Sequence, residues 1–182
     1  LAANPDIQKV GLLYSKSESA SAKPVEEAKA YLAAKGIAVE EKTGTNTNEI
    51  SSAVDALVAA RVDAIFTPTD NTVQNAELAV FEKLQEAGIP HYGGADSFAL
   101  NGAFCGYGVD YVQLGQETAR MVAGLLVDGD DPASTPVRIM TAESAVINTE
   151  TCASIGMDLE QIKTAFSALG IAVIETTTQQ SF

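Results

Sequence analysis

The most constraining feature of this sequence is a regular alternation of short apolar runs with segments of helical period. Apolar runs occur at 10–14 (VGLLY) and 64–67 (AIFT), and each is short enough to be a buried strand. Apolar residues then recur every three or four positions after the second run, at Val73, Ala76, Val80, Leu84 and Ala87. Strands that alternate with helices are typical of a parallel sheet covered on both faces.

The alternation continues along the whole chain. We predict further strands at 37–39, 91–93, 103–109, 137–140 and 171–174. Further helices are predicted at 25–32, 47–58, 112–127 and 159–169, with a turn at 94–97 and a linker-like segment at 128–136. The fold class that follows is a three-layer α/β/α sandwich with a mostly parallel sheet. Strands 10–14 and 64–67 are expected to be neighbours at its centre, because they are the most apolar.

Charge restricts the class of partner. The chain has 24 acidic residues against 11 lysines and arginines, for a net charge of -13. A phosphate backbone or an anionic membrane surface needs clustered basic residues, so no nucleic-acid partner is expected. The first residues, LAANPDIQ, lack the pattern of a signal peptide. The protein therefore either stays inside the cell or has had a leader removed. Cys105 and Cys152 are far apart, and we predict buried free thiols.

Polar residues stand where several predicted strands end. Ligands of open α/β sheets bind outside the carboxyl ends of the strands, which here carry the hydroxyls of 15–21 and the acids Asp70, Asp96 and Asp110. A small zwitterion suits this set, because a carboxylate can hold an ammonium group while hydroxyls and helix N-terminal amides hold a carboxyl group. The alternative is structural: Asp70 or the adjacent Asn71 serves only as a helix N-cap.

Signals of enzymatic activity are weak. His91 is the single histidine and stands beside a proline, which favours a structural role. The chain has no GxSxG motif and no phosphate-binding GK[ST] motif. The segment GYGVDY (106–111) lacks the third glycine of a dinucleotide fingerprint. We therefore predict a protein that is not an enzyme and needs no cofactor.

Four stretches resemble one known family. They are VGLLYSKSESAS, DAIFTPTDNTVQNA, IPHYGGADSFALNGAFCGYGVDYVQLGQETARMVAGLLVDG and VINTETCASIGM, in this order over about residues 7–157. Together they are similar to the solute-binding proteins of ABC transporters, in the subgroup associated with tryptophan and other aromatic amino acids. The resemblance implies a type I periplasmic-binding fold, in which two hinged α/β lobes close over one ligand.

The resemblance also implies a set of ligand-binding residues. Three hydroxyls are candidates for the ligand carboxylate, and two acids and an amide for the amino group: Ser17, Ser19, Ser21, Asp70, Asp96 and Asn71. The family loop more often has Asn near position 15 and Pro-Asn near positions 19 and 20, where this chain has Ser15, Ser19 and Ala20.

Only the second lobe and the C-terminal part of the family are covered by the resemblance. We therefore expect a fragment in which 1–96 is the ligand-binding lobe and 97–128 belongs to a missing N-terminal lobe. Residues 129–182 are expected to return to the ligand-binding lobe. In the full-length protein the implied function is that of an extracytoplasmic component of an importer, periplasmic or anchored as a lipoprotein. The implied ligand is a small zwitterion, an aromatic amino acid, which binds in the cleft between the two lobes, and the implied partner is an ABC permease.

The apolar face of helix 112–127 lacks a partner in such a fragment. It either folds back on its own sheet or is exchanged between two chains, and we favour exchange, which predicts a domain-swapped homodimer. Two other functions stay open. One is the effector-sensing domain of a regulator with the same fold, which would need a DNA-binding headpiece. The other is a flavodoxin-like receiver or enzyme domain, which would need an acidic cluster near Asp70.

Overall fold

The computed structural model describes residues 1–141 and 144–179, and these form one sheet flanked by helices. The strands are β1 Lys9–Tyr14, β2 Ala38–Thr43, β3 Ala64–Thr67, β4 His91–Gly93, β5 Cys105–Tyr107, β6 Ser144–Asn148 and β7 Ala172–Thr176. The helices are α1 Ser19–Ala34, α2 Thr47–Ala59, α3 Asn71–Glu86, α4 Asp96–Leu100, α5 Tyr111–Ala123, α6 Thr149–Ser154 and α7 Leu159–Ser167. A π-helical turn, Gly124–Asp128, continues α5.

The sheet confirms the predicted class. Its strand order is β2-β1-β3-β4-β5-β6-β7, and every neighbouring pair is parallel except β5 and β6, which are antiparallel. Val10 of β1 pairs with Ala64 of β3, so the two most apolar predicted strands are neighbours as expected. Their predicted central position is wrong, because they are the second and third of seven strands. The carboxyl ends of β1, β3, β4 and β5 consequently share one edge of the sheet.

Helices cover both faces of the sheet. Alternate residues of β1 point to opposite faces, so Leu13 packs with α2 and α3 while Leu12 packs with α1. A third cluster joins β5 and β6 to α7 through Ile147 and Phe166. Full burial of a side chain such as Leu or Ile is worth about 1.5–3 kcal/mol, so these clusters supply the main driving force for this arrangement.

One predicted strand is wrong. Residues 137–140 form no strand, and Val137 and Ile139 are 89% and 88% exposed. Arg138 donates to Glu117 of α5 at 2.8 Å, which places this segment along the helix and away from the sheet. The strand forms instead at β6, where Ala145 and Ile147 are fully buried beside β5.

Two short helices differ from the predictions. The predicted turn at 94–97 leads into α4, whose Phe98 is fully buried against the sheet. Helix α6 follows β6 directly and begins at the N-cap Asn148, whose side chain accepts from the Thr151 amide at 3.0 Å. Both helices are too short to show an apolar period, so only their caps carry a sequence signal.

The segment after β5 leaves the body of the chain. Within the described residues, α5 buries none of its side chains, and Leu126 and Val127 in the following turn are 81% and 80% exposed. Residues 97–107, in contrast, lie on the sheet through α4 and β5. The division of 97–128 and 129–182 between two lobes, and the exchange of 103–128 between two chains, stay predictions.

The thiol prediction is confirmed, since Cys105 and Cys152 are both free and buried. Burial raises the pKa of the Cys105 thiol to about 12, which keeps it protonated and unreactive at neutral pH. In the part of the chain that the structure describes, no helix combines the length and the apolar character of a membrane span.

Candidate functional site

Asp70 lies at the centre of the candidate edge, but it is fully buried. Its Oδ1 accepts from the Val73 amide at 3.0 Å, so the carboxylate caps α3 as the alternative interpretation predicts. Its Oδ2 accepts from the Ser15 amide and from the Ser21 hydroxyl, both at 2.7 Å. Asp70 therefore accepts three hydrogen bonds, and these bonds connect the loop after β1 to the start of α3.

The other two candidate serines are exposed. Ser17 lies in the loop after β1, with its Oγ 2.8 Å from Ser15 Oγ, and Ser19 is the first residue of α1. In the described structure, the N-cap Glu18 makes no side-chain bond to the first turn of α1. The first amides of a helix have no intrahelical acceptor, so this end of α1 can bind an anion.

Helix α3 begins beside the start of α1. Asn71, its first residue, is exposed at the edge of the sheet. Thr72 donates its hydroxyl to Glu18 Oε1 at 3.3 Å, which joins the two helix N-termini. Asn71 therefore lies near the exposed serines along this edge, with Glu18 between the two helices.

Asp96 lies at the end of β4, as the first residue of α4. It is half-buried, and its Oδ1 accepts from the Ser97 amide at 2.8 Å. Thr69 donates to the Gly94 carbonyl at 2.9 Å, and the Gly94 amide donates to the Thr67 carbonyl at 2.9 Å. These bonds hold the loops after β3 and β4 together, so Asp96 and Asn71 stand on adjacent loops.

Close backbone contacts require glycine at two positions in the loops after β4 and β5. A Cβ added at Gly94 would lie 2.6 Å from the Thr69 amide nitrogen, and one at Gly108 would lie 2.5 Å from the Gly94 carbonyl oxygen. The loop after β5 therefore packs on the loop after β4 with no room for side chains. Asp110 follows and caps α5 by accepting from the amides of Val112 and Gln113.

Sequence reasoning missed a buried polar chain beneath this edge. His91 of β4 has Nδ1 2.9 Å from Glu77 Oε1 and Nε2 2.8 Å from Thr67 Oγ1, and all three residues are buried. The signal was a charged residue, Glu77, four positions after Val73 on the apolar face of α3. His91 thus lies in the core, away from the exposed edge, in keeping with the structural role predicted for it.

The structure thus brings all six candidate residues to one edge in two groups. Ser17, Ser19, Asn71 and Asp96 lie on the surface or half-buried, whereas Ser21 and Asp70 bond to each other beneath it. Ser21 sits on the buried face of α1, so it belongs to the support of the site. The end of β1 offers Ser15 next to Asp70, where a phosphate-accepting receiver would need a second acid.

Comparison with known proteins gives a consistent result. Residues 2–167 match the family described as ABC transporter substrate binding protein. A curated relative, the tyrosine-binding protein of Clostridioides difficile strain R20291, is 26% identical over 153 residues, which is 84% of this chain and 44% of that protein.

Solved structures extend the comparison. A Streptococcus pneumoniae ABC domain in complex with L-Trp superposes with a TM-score of 0.79 and is 33% identical, over 95% of this chain and 57% of that one. A ligand-free, open substrate-binding protein with adhesive properties from Clostridium difficile has a TM-score of 0.72 and 26% identity, over 95% and 56%. This chain therefore spans about half the length of the relatives it matches.

Proposed function

Because this chain belongs to the family of ABC transporter substrate-binding proteins, we propose that it carries part of the binding site for a small zwitterionic solute, an aromatic amino acid. The observation that carries the proposal is the surface group at one sheet edge, where exposed hydroxyls at the start of α1 face the same edge as the Asp96 carboxylate. The choice of an aromatic amino acid rests on the relatives, one named as a tyrosine-binding protein and one solved with L-Trp.

The N-terminal end of α1 is proposed to hold the ligand carboxylate. Ser17 and Ser19 supply exposed hydroxyl donors, and the first amides of α1 supply further donors with the favourable end of the helix dipole. Ser21 is proposed to act beneath them, because its hydroxyl is already given to Asp70. The hydrogen bonds from Ser15, Ser21 and Val73 to Asp70 fix the positions of the donors that a carboxylate bound here would contact.

Asp96 is the proposed partner of the ligand ammonium group, with Asn71 beside it. Asp70, the first choice from sequence, already accepts three hydrogen bonds and has no exposed surface. Asp96 accepts one bond from a backbone amide and remains partly exposed, so it has oxygen lone pairs left for an ammonium group. The role assigned to Asp70 is therefore to position the loop after β1.

The remainder of the site is proposed to come from polypeptide beyond these residues, since the relatives are about twice as long. In that whole protein, α5 and the exposed apolar turn after it are proposed to pack on a second lobe. The ligand would lie between the lobes, and the protein, outside the cytoplasm, would deliver it to an ABC permease. The relatives are binding proteins, so no chemical step is assigned to this one.

Calorimetric titration of the full-length protein with L-Tyr and L-Trp tests the proposal. Asp96→Asn is expected to weaken binding by about tenfold or more, the scale of a lost hydrogen bond to a charged group. Glu86→Gln, at an exposed acid at the far end of α3, is the matched control and is expected to bind normally.

A ligand without the ammonium group sharpens this test. Indole-3-propionate should bind the unmodified protein more weakly than L-Trp, and Asp96→Asn should not weaken it further, because the group that Asp96 contacts is absent. Unchanged affinity of Asp96→Asn for both amino acids would remove Asp96 from the site. Failure of every amino acid to bind the full-length protein would overturn the proposed ligand class.

A further inference from the structure

A buried polar chain crosses the core beneath the loop that carries Asp96. It consists of Glu77 of α3, His91 of β4 and Thr67 of β3, joined by the contacts of 2.9 Å at His91 Nδ1 and 2.8 Å at His91 Nε2. None of the three residues is more than 1% exposed. Both ring nitrogens of His91 therefore have a partner, and these two partners together fix the orientation of the imidazole ring.

Stability alone does not explain this polar chain. A glutamate is seldom fully buried, and replacing a buried ionisable pair by apolar residues of similar volume is often neutral or stabilising. Glu77 Oε2 is buried without a hydrogen-bond partner among the described residues, so the carboxyl group uses only one oxygen, on His91. What apolar residues at these positions would not supply is direction, because a network of hydrogen bonds specifies one arrangement of its members.

The imidazole ring of His91 supports helix α4. It meets the ring of Phe98 edge to face, with centroids 5.7 Å apart and planes at 75°. Phe98 is fully buried and also lies on the backbone of Gly93, where an added Cβ would overlap the Phe98 ring. The position of α4 on the sheet therefore depends on the orientation of the imidazole ring.

Two routes connect His91 to Asp96. The first runs through Phe98, which stands two positions after Asp96 in α4. The second runs through Thr67, whose carbonyl accepts from the Gly94 amide at 2.9 Å, two positions before Asp96. Asp96 thus lies between two anchor points, Gly94 and Phe98, and both depend on contacts of the same imidazole ring.

We infer that His91 is a positioning residue for Asp96, and that Glu77 and Thr67 set the orientation of its ring. The inference rests on the proposed function, because it assigns the chain to recognition of the ligand ammonium group. His91 lies in the core and acts only through the loop above it. The consequence is specificity: without the chain, the protein loses its preference for ligands that carry an ammonium group, while ligands without one bind as before.

Two substitutions of Glu77 test the hydrogen bond at one position. Glu77→Gln keeps a carbonyl that accepts from His91 Nδ1, whereas Glu77→Met has a similar length and only a weak acceptor. Calorimetric titration of the full-length protein with L-Trp and with indole-3-propionate gives the ratio of the two affinities. Glu77→Met is expected to lower this ratio by about fivefold or more, through weaker binding of L-Trp alone. Glu77→Gln is expected to restore the ratio of the unmodified protein.

Two further variants separate positioning from stability. Ile162→Ala, at a buried position of α7, should lower the urea midpoint of unfolding and leave the affinity ratio unchanged. The triple variant Thr67→Val, Glu77→Met and His91→Leu replaces the whole chain by apolar side chains. It leaves no member of the chain unpaired, so it is expected to fold, and it should still lose the preference for L-Trp.

Amide hydrogen exchange tests the positioning without a ligand. The Gly94 amide donates to the Thr67 carbonyl and the Ser97 amide donates to Asp96 Oδ1, so both amides report on this loop. In the full-length protein, both should exchange faster in Glu77→Met than in Glu77→Gln, by about tenfold or more.

The outcomes distinguish this inference from the proposed function. An unchanged affinity ratio in Glu77→Met and in the triple variant, while Asp96→Asn lowers the ratio, would overturn the positioning role and leave the proposed function standing. If the unmodified protein shows no preference for L-Trp, the proposed function fails. The exchange rates then decide whether the chain holds the loop, and equal rates in Glu77→Met and Glu77→Gln would overturn the inference as well.

Discussion

Ser21 of α1 donates its hydroxyl to Asp70 at the start of α3, over 49 positions of sequence and an Oγ–Oδ2 distance of 2.7 Å. Both residues have no exposed surface. The bond joins two strand–helix units that are neighbours in the sheet through β1 and β3. It therefore sets the position of the loop that carries the exposed serines of the proposed site.

Replacement of Asp70 by alanine should destabilise the protein by more than about 2 kcal/mol, because leaving a buried donor unpaired costs about 1–3 kcal/mol and Asp70 serves three donors. Urea unfolding of Asp70→Ala measures this loss. Asn71→Ala is the control, because Asn71 is the exposed neighbour, and it should change the free energy of unfolding by less than about 0.5 kcal/mol. Equal free energies of unfolding for both variants would show that the three hydrogen bonds to Asp70 add no stability.

Thr67→Val should cost about 1–3 kcal/mol, since it removes the hydroxyl that His91 Nε2 contacts and leaves that buried nitrogen without a partner among the described residues. Nitrogen NMR of the imidazole ring provides a second measurement. The chain has a single histidine, so one set of ring signals reports directly on His91. The variant should shift the Nε2 signal more than the Nδ1 signal, which still faces Glu77. Unchanged ring signals would contradict the hydrogen bond.

The Cys105 thiol should make stability fall at alkaline pH. Burial raises its pKa from 9.0 to about 12, so above pH 9 the unfolded chain loses a proton that the folded chain keeps. This contribution is fully present below pH 9 and is lost as the pH rises towards 12. Unfolding free energies measured from pH 8 to 11 should decline more steeply for the unmodified chain than for Cys105→Ala. Parallel pH profiles would show that the thiol is not buried in this way.

The apolar turn after α5 should add nothing to the stability of the 182-residue chain. Leu126 and Val127 are about four-fifths exposed, at 81% and 80%. The pair of substitutions Leu126→Asp and Val127→Asp should therefore change the free energy of unfolding by less than about 0.5 kcal/mol. Leu57→Asp, at a fully buried position of α2, is the contrasting control and should unfold much of the protein. A large loss from the exposed pair would mean that the turn is packed in solution.

Most of the fold could be predicted because the central strands are buried on both faces and read as continuous apolar runs. The choice between 137–140 and 144–148 could not be made in this way. Both are short and contain three apolar residues each. What separates them is a partner: Ala145 and Ile147 meet β5, while Val137 and Ile139 meet no neighbouring strand among the described residues. Such pairing depends on residues distant in sequence.

The candidate site could also be predicted only in part. The edge could be predicted from topology, because carboxyl ends of parallel strands meet there. The buried state of Asp70 could not, because its donors Ser15 and Ser21 lie 55 and 49 positions away. One signal was present: Ser21 stands four residues before Val25 on the buried face of α1, where a hydroxyl needs a buried partner.

The lone antiparallel pair in the sheet also has a mechanical consequence. Tyr107 at the end of β5 lies opposite Ala145 near the start of β6, so the chain leaves the sheet and re-enters it at adjacent points. Antiparallel neighbours can be joined by two residues, so residues 110–141 are an excursion that the sheet does not need for closure. Excision of that excursion in favour of a tight turn should leave the seven-stranded sheet folded. A segment carried on the excursion is therefore attached to the sheet at one place, where both of its ends leave from strands that lie side by side.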